Sequence, residues 1–227
     1  MAALAKFIEL KQIAAAKRLH QRLEQWRLIE RALASLKLRF PEFSLEETLL
    51  KVTCVNALYR TNVLAIHRLV KHAVEVLRQA DLTLAGPELI EELAVPPQSD
   101  GKVHRHHSFG SKFAHFFIDS ERIPIMDSYA VNMIKFHLER TSMALDPNRP
   151  YVAFCANHSL LKGELGFPIT NKDLDHFLWI AGLYKVYCKK RNAPINREVH
   201  AMFENQDLSI VADLADLLPP VTSGRNA

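Results

Sequence analysis

Two side chains of complementary reactivity stand fifteen residues apart in this chain. Lys112 follows Gly110-Ser111, and Asp127 closes the run Ile123-Pro124-Ile125-Met126-Asp127. A deprotonated amine attacks an electron-poor carbon and can hold it as an imine. A carboxylate stabilises a transition state that gathers positive charge more than the neutral ground state before it. An ammonium cannot attack, so Lys112 must first lose its proton; desolvation favours that loss, the charge of Asp127 opposes it, and Asp127 is itself a possible acceptor.

Positioning such a pair requires specific elements. The stretch from His104 to Tyr129 reads as a tight turn at Gly110, a short helix beginning near Lys112, a second turn, and a helix whose first residues carry Asp127. Pro124 fixes an extended entry, and Asp127-Ser128 lie where N-caps usually fall. Both reactive groups would then sit at helix starts.

The surrounding sequence reads as helical throughout. Residues 2–39 carry Leu4, Ile8, Ile13, Leu19, Leu23, Trp26, Ile29, Leu33 and Leu36 at helical spacing, as one long helix or two joined ones ending at Phe40-Pro41. Ser44 with Glu46 and Glu47 opens a helix toward Tyr59, and another resumes through Val63 and ends near Ala80. A turn spans 81–86, a short helix runs from Pro87 to Ala94, and a loop covers 96–101. Further helices are expected over 129–141, within the irregular stretch 151–168, from Asn171 or Asp173 to the basic cluster near Lys189, over 195–205 and over 207–218, before a loose tail from Pro219.

Composition sets the class. The chain has 227 residues, enough for a full core in one domain or two closely packed lobes, and its 7 glycines and helix-favouring usage point to an all-α protein. The three cysteines, Cys54, Cys155 and Cys188, are too far apart for a zinc or iron–sulfur spacing and suit a reducing cytoplasm. Basic residues interrupt the N-terminal apolar positions too often for a signal peptide or membrane span, so a cytoplasmic protein is expected. Net charge is +4, unevenly spread: residues 1–43 hold nine Lys/Arg against four Asp/Glu, whereas 44–120 hold eight against nine. Lys185, Lys189, Lys190 and Arg191 gather near one helix end, which fits either a polyanion partner or the general attraction of helix C-termini for cations.

Gly110-Ser111-Lys112-Phe113-Ala114, followed by the Pro124-to-Asp127 turn, resembles the helix-hairpin-helix (HhH-GPD) DNA glycosylase superfamily, the relatives of endonuclease III and of the adenine and 8-oxoguanine glycosylases. Asn56 to Asn62 resembles that family's polar helix junction, and Leu178-Trp179-Ile180-Ala181-Gly182-Leu183-Tyr184 its late helix, in the same order over roughly residues 45–190. Ser108 replaces the hairpin's first glycine, His106-His107 replace its Leu-Pro opening, and the lysine-to-aspartate spacing is a few residues shorter. The family's four-cysteine iron–sulfur loop is absent, as in the 8-oxoguanine branch.

The resemblance implies a two-lobed helical fold, with residues 44–120 as a lobe ending in the hairpin and residues 1–43 plus 121–218 as the other. It implies a monomer that binds double-stranded DNA in the cleft between the lobes, flips a modified or damaged base, and cleaves its N-glycosidic bond, in base-excision repair or in defence against phage DNA with modified bases. Asp127 would stabilise the oxocarbenium-like transition state, and Lys112 would attack C1′ if strand nicking accompanies base release. Ser108, Gly110, Ser111 and His107 would meet phosphates at a helix start, Lys189, Lys190 and Arg191 would add phosphate contacts, and Tyr59, Arg60 and Asn62 would fill the gap left by the flipped nucleotide. Phe113, His115 and Trp179 are read as lining the base pocket, the hydrophobic core being the other place for such residues. No cofactor is expected, and His104, His106, His107 and His115 lack the neighbours for a metal site. A DNA-binding module that has lost catalysis and a helical scaffold without nucleic acid are the other classes compatible with the chain.

Overall fold

A computed structural model describes residues 7–97, 104–139 and 146–218; the expected tail from 219, and parts of the expected loop 96–101 and helix 129–141, lie outside the described residues. Every regular element among them is helical. The order is α1 (Leu10–Arg22), α2 (Glu24–Arg39), α3 (Leu45–Tyr59), α4 (Ile66–Gln79), a 3-10 turn (Leu82–Leu84), α5 (Pro87–Leu93), α6 (His107–Phe117), α7 (Ser128–His137), α8 (Pro150–Glu164), α9 (Asn171–Lys189), α10 (Arg197–Phe203) and α11 (Leu208–Leu217).

Local chemistry explains most boundaries. Ser44, Thr170, Asn196 and Asp207 each accept a backbone N–H of the helix that follows, and Pro87 opens α5 where its missing N–H costs nothing. Of the two N-terminal arrangements expected, one long helix or two joined ones, the chain takes the second, broken at Leu23, which has a non-helical backbone (φ −84°, ψ 90°) and directs its N–H to His20 O. The helix expected within the irregular stretch 151–168 is α8, which takes up most of it, and α4 starts at Ile66, three residues later than Val63.

The helices sort into two compact units. Unit 1 takes described residues 7–27, 128–139 and 159–218, and unit 2 takes 28–97, 104–127 and 146–158. The expected lobes drew the line differently: residues 28–43, 121–127 and 146–158 belong to the unit that holds Lys112.

In unit 1, α1 packs against α9 and α11, and α7 lies along α9. Ala15, Ala16 and Leu19 of α1 and Phe177, Leu178 and Ala181 of α9 are all fully buried. The buried carboxylate of Asp213 accepts Arg18 at 2.7 Å, and buried Gln12 donates to Leu217 O at 3.2 Å. Gly182 allows α7 its approach, because a Cβ there would lie 2.8 Å from Tyr129 Cβ and 3.2 Å from its Cα. Gly182→Ala is therefore expected to destabilise by about 1–3 kcal/mol, more than its helix propensity returns. Gly163 of α8 has open space where a Cβ would stand, so Gly163→Ala should instead stabilise by up to about 1 kcal/mol. Denaturation midpoints of the two variants, moving in opposite directions, check both.

In unit 2, α3 packs on α4 and α6, and α5 bridges α4 and α6. Val52, Val55, Leu69, Ile90, Leu93, Phe109 and Phe113 form the core. Glu91 of α5 ties three helices together: one carboxylate oxygen meets His107 Nε2 of α6 at 2.6 Å, and the other accepts the N–H groups of Tyr151 and Val152 at the start of α8, at 2.6 and 3.0 Å. A carboxylate at that place also suits the positive end of the helix.

Candidate functional site: an amine and a carboxylate in the helical core of unit 2

Lys112 lies in the second turn of α6 and Asp127 immediately before α7. Gly110 is no turn residue: its N–H bonds to His106 O at 2.8 Å at the start of the helix, and the site where its Cβ would stand is 3.5 Å from Ile90 of α5 and from Ala94, the residue that ends it. The helix begins at His107 because the backbone stays right-handed through this glycine; a helical glycine at a close helix crossing carries the same sequence signal as a turn.

Three side chains fix the segment that carries Asp127. The His115 Nδ1–H donates to Ile123 O at 2.8 Å, the Tyr151 hydroxyl donates to Pro124 O at 2.8 Å, and Ser111 Oγ accepts the Met126 N–H at 3.1 Å. Ser111, expected to meet a phosphate, and His115, expected to line the base pocket, are buried and support the aspartate's segment. Ser111 Oγ and His115 Nδ1 serve a backbone with no helix or sheet ladder of its own. Tyr151 was missed, and its place in an apparently irregular stretch gave no signal for it.

Lys112 is 6% exposed. Its ammonium donates to Ser108 Oγ at 2.8 Å, one turn back, and stands 3.6 Å from Asp127 Oδ2. The shorter sequence spacing therefore leaves the two groups in reach of each other. The amine is 5.9 Å from the centre of the Tyr59 ring. Burial, and after it the charge of Glu30, pushes the Tyr59 phenol well above its usual range, so it is a neutral hydroxyl at physiological pH.

The junction between α3 and α4 is held by one side chain. Asn56 Oδ1 accepts Thr61 Oγ1 at 2.8 Å and Val63 N at 2.9 Å, while its Nδ2 donates to Val63 O at 3.0 Å. The turn is tight enough to place Arg60 and Asn62 in the left-handed region, at φ 49° and 57°. Their exposed side chains, with Leu64 at 95% exposure, project from a backbone that Asn56 keeps in one shape. Leu64 was missed because an apolar residue in a helical pattern reads as core.

The other expected residues divide. His107 is buried against Glu91, so it is not available to a phosphate. Phe113 is fully buried among Phe109, Phe117 and Phe43, a core position. Trp179 belongs to unit 1, where it packs edge-on to Trp26 with ring centres 4.6 Å apart. Lys189, Lys190 and Arg191 are exposed on unit 1, and Arg191 donates to the Tyr187 hydroxyl at 3.0 Å. Among the described residues His104, His106, His107 and His115 join no cluster of three metal-ligating side chains. His20 and His176 of unit 1, whose rings stack 3.7 Å apart, are the better-placed imidazoles for an ion, though nothing in their spacing along the chain signals it.

Unit 2 holds a second buried amine. Lys51 of α3 is 1% exposed, donates to Glu42 O, lies 3.7 Å from Glu47 Oε2 and stands over the Phe43 ring at 4.1 Å. Desolvation outweighs the pull of Glu47 and Glu42 and lowers its pKa below the usual 10.5. Between that folded-state value and 10.5 the unfolded chain binds the extra proton, so stability should rise with pH across this window, while below it the cost of burying the charge is complete. Lys51→Met should stay within about 1 kcal/mol of the parent and flatten that alkaline rise, whereas Lys51→Ala should lose about 2–3 kcal/mol. Urea midpoints across the pH range read both effects.

Residues 9–121 match a family model described as HI_0787_N, N-terminal domain. Neither the curated proteins nor the solved structures contain a match to this chain. No described helix is long and apolar enough to cross a membrane.

Proposed function

We propose that this protein is a DNA glycosylase of helix-hairpin-helix type, which flips a modified or damaged base out of duplex DNA and cleaves its N-glycosidic bond. The observation that carries the reading is the meeting of Lys112 and Asp127, 3.6 Å apart in a largely buried setting, with the aspartate's segment held at Ile123, Pro124 and Met126. Departure of a base leaves positive charge on the sugar, and a carboxylate that needs no rearrangement stabilises that charge most effectively. The close crossing of α5 and α6 at Gly110 supports the hairpin arrangement, in which the first N–H groups of α6, rather than Ser111, would face a phosphate. Arg60, Asn62 and Leu64 are the side chains of the α3–α4 junction suited to fill the space of a flipped nucleotide.

The chemistry begins with Lys112 as an ammonium beside Asp127. Transfer of its proton to Asp127 or to water frees the amine to attack C1′, with the base leaving, and the imine formed then permits elimination that nicks the strand. With water as nucleophile, Asp127 alone acts and the product is an intact abasic strand. The test is incubation with a panel of duplexes carrying oxidised, alkylated, mismatched and hypermodified bases, scored for abasic sites. Release of no base from the whole panel, with duplex binding retained, would favour a DNA-binding protein without chemistry.

A further inference from the structure

Along α7 and α9 of unit 1 a cleft of about 260 Å³ is lined by Tyr129, Asn132, Met133, Gly182, Lys185 and Lys189, among others. Lys185 and Lys189 are one helical turn apart, so both ammonium groups serve the same face of α9. Like charges at this spacing repel, and neither lysine forms an ion pair with a described residue. Among the described residues no carboxylate lines the cleft. The attraction of a helix C-terminus for cations accounts for Lys189 in the last turn, but not for Lys185, which is half-buried with its ammonium 3.4 Å from the centre of the Phe136 ring.

We propose that this cleft binds a phosphate group, with Lys185 and Lys189 supplying the charge and the Asn132 amide a neutral donor. Burial, and the charge of Lys189 after it, lower the Lys185 pKa, a repulsion that an anion between the two would relieve. Gly182 keeps the floor free of a side chain where Tyr129 comes closest. The tetrahedral group comes either from a phosphodiester of duplex DNA or from a free phosphate. The proposal shares a polyanion partner and Lys189 with the glycosylase reading, and does not involve Asp127 or Lys112.

The full-length protein and its Lys185→Gln/Lys189→Gln variant would be compared in two assays. In the first, duplex affinity is measured against salt concentration; if a phosphodiester occupies the cleft, the variant's log–log slope is shallower by about 0.9, from the one phosphate no longer neutralised. In the second, inorganic phosphate is titrated at constant ionic strength; if free phosphate is the ligand, the wild-type melting temperature rises and the variant's does not. Lys185→Arg/Lys189→Arg should keep whichever response the wild type shows. Should the double Gln variant misfold, Lys189→Gln alone, at an exposed site, should make the slope shallower by part of that amount or weaken the phosphate response. Equal slopes and equal phosphate responses for wild type and variant overturn the proposal. That result leaves base excision untouched, since excision is read separately as abasic sites.

Discussion

Asp127→Asn is expected to reduce base release by about a thousandfold while leaving duplex affinity unchanged or slightly tighter. The amide is the same shape as the carboxylate, so the supports at Ile123, Pro124 and Met126, which bind backbone and not the side chain, should remain in place. What disappears is the negative charge 3.6 Å from Lys112, and with it the stabilisation of the sugar cation. Removing one anion from a buried neighbourhood also relieves repulsion toward DNA phosphates, the reason for expecting tighter binding. Single-turnover excision and duplex binding, measured on whichever modified base the panel identifies, separate the two quantities. Excision by the Asn variant within a few fold of wild type would remove Asp127 from the mechanism.

The second large effect concerns Lys112. If its amine attacks C1′, borohydride should trap a covalent protein–DNA adduct, and Lys112→Gln should lose both adduct and strand nick. The geometry favours this route in one respect: Ser108 and Asp127 hold the ammonium at a defined place, 2.8 and 3.6 Å away. Those contacts also stabilise the charged form, so the amine route needs Asp127 to lose its hold or take the proton. A wild type that leaves the backbone intact, with a Gln variant retaining much of the excision, would show water to be the nucleophile. A trapped adduct on Lys51 or any other lysine would reject the role for Lys112 while sparing the enzyme.

What the sequence by itself determined was the helical class and most helix starts. Ser44, Pro87, Asp207 and the amphipathic runs act over a few residues, so a local reading reaches them. It also singled out Lys112 and Asp127, whose chemistry is a property of residue type. Whether they meet was beyond it, since that depends on how the ten residues between α6 and α7 are folded back, and this is settled by His115, Tyr151 and Ser111 at separations of 8, 27 and 15 residues from their partners. The same limit hid the opposite fates of neighbours in one motif. Gly110 packs against α5, Phe113 enters the core and His107 turns to Glu91, while Lys112 faces Asp127. A helix distributes successive residues around its axis, and only the tertiary packing on each side decides which of them meets the core, a partner carboxylate or the reactive group.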